Sequence, residues 1–213
     1  MMSNGFIIKD MKSLSEIDTV SKRSSRAAGY SWGISEEVGK NIRLLEMFGL
    51  SGIKNLNDFF SKKESLKLEN LKFIDKENKT KNSRFCPIIA GTSFLDQIKT
   101  LENLGEIKFK NMSHPLLFLP FVSRASEVIG KRILLRLDDQ EFLVNFNNNI
   151  FTNYFKNEIM ELSIDVSTKI LDNRDSFSNK EWKELYTLAE NTFVEENDSL
   201  KNSGAGAGLT DND

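Results

Sequence analysis

The sequence holds one cysteine and one histidine, Cys86 and His114, so it has a single possible thiol–imidazole pair. An imidazole within hydrogen-bond reach of a thiol takes its proton and leaves a nucleophile, and an acid on the far ring nitrogen fixes the tautomer. Glu37 and Asp96 are acids that could orient the ring. No cysteine-hydrolase signature surrounds either residue. The same two residues have plainer uses: a buried apolar thiol, and a histidine that caps the segment opening at Pro115.

Two further segments have unusual composition. Arg26-Ala-Ala-Gly-Tyr-Ser-Trp-Gly-Ile-Ser-Glu-Glu-Val-Gly39 places Tyr30 and Trp32 on a short corner between Gly29 and Gly33. Backbone N–H groups at the start of the helix that follows could hold an anion, although Glu36 and Glu37 already occupy that end of the dipole. The corner equally suits two aromatics docking into a core. The last ten residues run Gly204-Ala-Gly-Ala-Gly-Leu-Thr-Asp-Asn-Asp213, with Gly204, Gly206 and Gly208 at alternate positions before Asp211, Asn212 and Asp213. Glycines permit close backbone approach to a ligand, and the acidic triplet offers oxygen donors. No strand is read before the glycines and little chain follows them to form a helix, so a phosphate loop is not expected. Three adjacent residues seldom converge on one ion, so no self-contained metal site is read. Tyr30, Trp32, Gly204, Gly206, Gly208, Asp211 and Asp213 stand as candidate ligand-binding residues. The tail is expected to pack near the Tyr30–Trp32 corner. No particular cofactor is indicated.

The elements that would carry these residues follow from periodicity and caps. Ser13-Leu-Ser-Glu16 is a capping box, with Leu14, Ile17 and Val20 at helical spacing, so a helix is expected to Ala28. Ser35 is read as the cap of a second helix whose apolar stripe is Val38, Ile42, Leu45 and Phe48, stopped by Gly49. A third short helix is expected over Ile53–Phe60. Residues 61–84 are Lys-rich and polar, a solvated excursion with at most an edge strand over Leu66, Leu68, Leu71 and Phe73. Ile107 to Phe109 alternates. Pro115-Leu-Leu-Phe-Leu-Pro-Phe-Val122 fits either a buried strand or a helix opened by one proline and bent by the next. Arg132–Leu137 and Glu141–Phe146 read as a hairpin, and Ile164, Val166, Thr168 and Ile170 as a half-buried strand. Ser178-Asn-Lys-Glu181 is a second capping box, opening an amphipathic helix through Trp182, Leu185 and Leu188.

Strands clustered between helical ends argue α+β rather than alternating α/β. The expected architecture is one domain over 1–213: a helical unit (1–60) packed on a small mixed or antiparallel sheet, a polar excursion (61–84), a mixed body (85–194) with a late amphipathic helix, and a Gly-rich tail (195–213). With 213 residues, 39% hydrophobic and 28% charged, the composition is that of a soluble globule. A net charge of −2 carries no field for nucleic acid. Sixteen phenylalanines against three tyrosines and two tryptophans put most aromatics in the core. The longest apolar run, Pro115–Val122, is too short to span a membrane, and a single cysteine suits a reducing compartment, read as the cytoplasm.

With these blocks in view, the chain resembles a bacterial family known as a domain of unknown function. The resemblance rests on Leu14-Ser-Glu16, the Arg26–Lys40 block, Leu50-Ser-Gly52, Cys86-Pro-Ile-Ile-Ala-Gly91, His114–Phe121, Thr192-Phe-Val194 and the Gly-Ala-Gly-Ala-Gly-Leu-Thr-Asp-Asn-Asp terminus. It implies a bacterial soluble protein whose tail belongs to the same unit, and it brings no activity or catalytic residue. Two functions are carried forward. One is a binding or accessory module for a metabolic enzyme or small metabolite. The other is a small-molecule enzyme whose site uses Cys86, His114, Glu37 and the tail.

Overall fold

The computed structural model describes residues 11–172 and 176–192. The tail from Gly204 to Asp213, and with it the expected packing against the Tyr30–Trp32 corner, lies outside the described residues. The chain divides into two compact units, 1–173 and 174–213.

The first unit opens with three helices, α1 (Leu14–Ala27), α2 (Trp32–Met47) and α3 (Gly52–Lys62). The capping box at Ser13 starts α1, with the Glu16 N–H bonded to Ser13 Oγ and Glu16 returning to the Ser13 N–H. α2 begins one turn before its expected start. Ser31, not Ser35, is the N-cap, its hydroxyl accepting from the Ile34 N–H. Ser31 wins because capping there adds another turn of backbone hydrogen bonds, and Ser35 is then buried inside the helix. α2 stops at Gly49, whose φ of 68° lets the Gly49 and Leu50 N–H groups bond the Glu46 and Leu45 carbonyls.

The excursion then contributes three two-residue strands, β1 (Leu68–Glu69), β2 (Glu77–Asn78) and β3 (Arg84–Phe85). Helix α4 (Pro87–Leu101), strand β4 (Glu106–Ser113) and helix α5 (Leu119–Ile129) follow, then β5 (Arg132–Leu137), β6 (Gln140–Val144), β7 (Ile150–Thr152) and β8 (Leu162–Leu171). The two readings of the Pro115 segment resolve in favour of helix. Pro115–Leu117 is a 3₁₀ turn, and Pro120 sits in the first turn of α5, where its missing N–H breaks no bond.

The strands form one eight-stranded mixed sheet in the order β1-β3-β4-β8-β5-β6-β7, with β2 also parallel to β4. The class is therefore α+β, with a larger sheet than the sequence suggested. The polar excursion widens it, because β1, β2 and β3 add a parallel edge to an otherwise antiparallel set. Central strands alternate strictly: Ile107 and Phe109, Ile133 and Leu135, and Val166, Thr168 and Ile170 are buried. In β8 the phase changes near its start. Ser163 is buried and Ile164 is 58% exposed, opposite the point where Asn111 takes a φ of 63° in β4. The expected inward Ile164 is thus an outward residue.

One face of the sheet packs on α4 and α5. Phe94, Phe109 and Phe118 meet edge to face at 5.3–6.4 Å, all fully buried. Each such burial contributes roughly 1.5–3 kcal/mol and each aromatic pair about 0.5–1.5 more. α2 packs on α1 and α5, and α3 on the Pro115 turn. The second unit carries α6 (Asn179–Glu190), opened by the Ser178–Glu181 capping box, with Phe177 stacked on Trp182 at 5.5 Å.

Candidate functional site

Cys86 is the residue before α4, fixed by the proline that opens that helix and by its own N–H bonded to the Glu69 carbonyl. It is 1% exposed, and its sulfur lies 3.5 Å from the Tyr30 hydroxyl. The structure therefore brings together Cys86 and Tyr30, one residue from each of two separate candidate groups. Lys63 reaches the same corner, its ammonium 4.4 Å above the Tyr30 ring and bonded to the Ala28 carbonyl. Burial pushes the Cys86 thiol upward, outweighing the Tyr30 hydrogen bond and nearby backbone N–H groups that favour the thiolate. Burial likewise raises the Tyr30 phenol. A thiol held protonated is a poor nucleophile. Native protein is expected to leave Cys86 unlabelled by an aromatic disulfide reagent over minutes and to release it quantitatively in denaturant. Stoichiometric native labelling would show an accessible thiol.

His114 sits at the turn between β4 and the Pro115 segment with a φ of 43°, a left-handed conformation that histidine tolerates better than most residues. Its ring is fully buried, and both nitrogens are engaged. Nδ1 is 2.8 Å from Ser113 Oγ and Nε2 is 2.9 Å from Asp58 Oδ2. A carboxylate only accepts, so Nε2 carries the proton and the Ser113 hydroxyl donates to Nδ1. Burial lowers the His114 pKa against the opposing pull of Asp58, so the neutral ring prevails. The bond from His114, followed by Lys62, holds the Asp58 carboxyl below its usual range.

This chain has the polarity of a serine-hydrolase triad, but Ser113 is fully buried and lines none of the main clefts. Its acid is Asp58, which sequence reading did not single out. Asp58 stands inside α3, one residue before Phe59, whose ring meets the imidazole edge at 5.3 Å. The network continues outward through Lys62 to Glu161 (3.1 Å) and Arg84 to Glu161 (3.4 Å). With both nitrogens committed, the His114 ring has none left for the Cys86 thiol.

Glu37 does not orient His114. It pairs with Lys40 at 3.1 Å and with Arg124 of α5. Asp96 is exposed on α4. Trp32 is 57% exposed, with the Arg26 guanidinium 5.5 Å above its ring. Among the described residues no cluster of three His, Cys, Asp or Glu side chains could hold a metal, and no helix is long and apolar enough to cross a membrane.

The Glu37–Arg124 pair marks the rim of a different site. A cleft of about 290 Å³ lies between α2 and α5, lined by Lys40, Asn41, Arg43, Leu44, Met47 and Arg124 together with Glu127 and Asn148. Asn41 is 2% exposed, yet neither its amide nitrogen nor its oxygen has a hydrogen-bond partner among the described residues. Other buried asparagines are satisfied. Asn55 donates to the Ser51 and Glu158 carbonyls at 2.7 and 3.3 Å and accepts from the Met160 N–H at 2.9 Å. Asn78 donates to the Asp75 and Lys108 carbonyls and accepts from the Asp75 N–H. Asn41 is the exception among them, and the cleft it helps to line also holds Lys40, Arg43 and Arg124. Arg43 makes no ion pair among the described residues, whereas Glu127 is occupied by the Asn148 amide at 3.0 Å. Burial lowers the Arg124 pKa. A sequence signal for this site exists. Asn41 falls three residues after Val38 and four before Leu45, a polar residue on an apolar stripe.

A second cleft, of about 450 Å³, is lined by Phe48, Leu50, Ile150, Phe151, Tyr154 and Phe155, with Phe151 56% and Phe155 90% exposed.

No curated protein and no solved structure matches this chain. One family model does, and it covers α1 to β3, a segment that holds Tyr30, Asn41, Arg43 and Asp58 but ends before Cys86, His114 and Arg124. Residues 12–85 match the family described as "Protein of unknown function (DUF3726)".

Proposed function

We propose that this protein is a binding module for a small metabolite, taken up in the cleft between α2 and α5. The observation that carries the reading is a cleft walled by three cations, Lys40, Arg43 and Arg124, with the buried, unpartnered Asn41 amide in the same wall. Leaving a buried polar group without a partner costs about 1–3 kcal/mol, so the Asn41 amide calls for a group that completes it. Binding to the folded state alone raises stability with ligand concentration, so a metabolite-library thermal-shift screen is the direct test.

Asn41→Leu supplies the control. The substitution keeps side-chain volume and removes the two unmet hydrogen-bond needs. It is expected to stabilise the free protein by about 1–3 kcal/mol and to abolish the thermal shift of any true ligand. A variant less stable than wild type, or one that keeps the ligand's shift, overturns the assignment.

The accessory role toward a protein partner draws support from the exposed aromatics of the second cleft, since contiguous apolar surface marks interaction sites. The alternative, a small-molecule enzyme using Cys86, His114 and the tail, requires a reactive thiol, and the labelling experiment on Cys86 decides that point. A single free cysteine kept as a thiol fits a cytoplasmic location.

A further inference from the structure

We infer that the free edge of β7 takes an extended peptide of a protein partner as a further strand of the sheet. The inference rests on the protein-partner reading of the second cleft given above and stands apart from the cleft between α2 and α5. β7 ends the strand order and pairs only with β6 among the described residues. The Asn145 N–H bonds the Asn149 carbonyl, and two residues further along the ladder Leu143 faces Phe151. Hydrogen-bonded pairs alternate in an antiparallel ladder, so Phe151 turns its main-chain groups to β6. Those of Ile150 and Thr152 then point away from the sheet. Two N–H and two C=O groups in this alternation match the edge of one extended segment.

The residues around β7 leave that edge open. Sheet edges are ordinarily blunted by charge or proline. On the far side of the sheet, β1 and β2 carry Glu69 and Glu77 with Lys67 and Lys76 beside them. Ile150-Phe151-Thr152-Asn153-Tyr154-Phe155 holds neither a charge nor a proline. All three residues of β7 line the second cleft, with the Phe48–Leu50 turn after α2 and the following Tyr154 and Phe155 as its other walls. Phe155 is 90% exposed, and Lys156 is the one charged residue of the lining. The partner segment is therefore extended, apolar where it lies along β7, and acidic at its flanks.

The test is fluorescence anisotropy on the full chain with labelled acetyl-Asp-Val-Phe-Val-Asp-amide. One control is the same peptide N-methylated at its three central residues, which removes the donors an added strand needs. The other is acetyl-Lys-Val-Phe-Val-Lys-amide. The first peptide is expected to bind at least about tenfold more tightly than either control. Phe155→Ser changes an exposed side chain and should weaken its binding at least about fivefold. Lys156→Gln should erase the preference for aspartate. Equal binding of the N-methylated peptide, or no binding of any, overturns strand addition. If Phe155→Ser still weakens the N-methylated peptide, the apolar partner surface stands and only the added strand fails. If it weakens no peptide, the partner surface fails as well. A dimer in light scattering that Phe155→Ser dissolves makes the occupant a second copy and overturns the peptide assignment.

Discussion

Replacing His114 by alanine is expected to destabilise the first unit by about 3–5 kcal/mol. The imidazole is fully buried, meets Phe59 edge-on, and joins the Ser113 hydroxyl to the Asp58 carboxylate. Truncation opens a cavity beneath α3 and leaves the Ser113 hydroxyl, also fully buried, without the ring it donates to. His114→Asn keeps a side chain suited to the left-handed backbone and one polar contact, so it should lose less. Urea unfolding at pH 7.5 measures both. A loss under about 1 kcal/mol for the alanine variant would be that of an ordinary surface substitution and would mean that the His114 network does not hold the core together.

The pH profile gives that prediction a second readout. His114 titrates lower in the folded state than its unfolded value near 6.5. The unfolded chain therefore binds the proton first. Stability is full above about pH 6.5 and falls as the pH drops through the depressed folded value. Asp58 acts with the same sign further down. Its folded pKa is lowered, so its contribution is present above about 3.9 and is lost as acid protonates it. Wild-type stability should thus decline in two windows on acidification. In His114→Ala the upper decline disappears, and the lower one shrinks because the bond from His114 is the main cause of the Asp58 shift.

Gly91→Ala is the second large effect. Gly91 lies inside α4, where alanine ordinarily gains about 1 kcal/mol in helix propensity. Here a Cβ would stand 2.6 Å from Cγ of the buried Phe121 on α5. The missing side chain is what lets α4 and α5 approach, and Phe121 is itself buried, at 1% exposure. Overpacking of this kind costs about 1–3 kcal/mol or more. The net loss should reach up to about 2 kcal/mol, a fall in Tm of up to roughly 4–8 °C for a unit of this size. Gly91→Ala with Phe121→Leu should recover part of it, because the smaller residue vacates the ring's position. A stabilised Gly91→Ala would mean that the helices do not pack at this distance.

The candidate site was legible in pieces. Cys86 and His114 stood out because each occurs once, but rarity identifies a residue without saying what it touches. Their partners, Tyr30 and Asp58, lie 56 residues away in each case. Asn41 announced itself only as a flaw in an apolar stripe. A core asparagine such as Asn55 makes a similar flaw, and what separates the two is whether distant carbonyls arrive to meet the amide.

Local chemistry alone determined the helix caps at Ser13 and Ser178, the stop at Gly49, the 132–144 hairpin and the α+β class. Each depends on neighbours within a turn or on the period of a short run, and the chain carries that information in order. The tertiary structure decided the rest. It set the parallel edge strands from 61–84, the choice of helix over strand after Pro115, the use of both His114 nitrogens, and the unmet amide of Asn41. These depend on groups far apart in sequence arriving, or failing to arrive, at one point, and no local period encodes that.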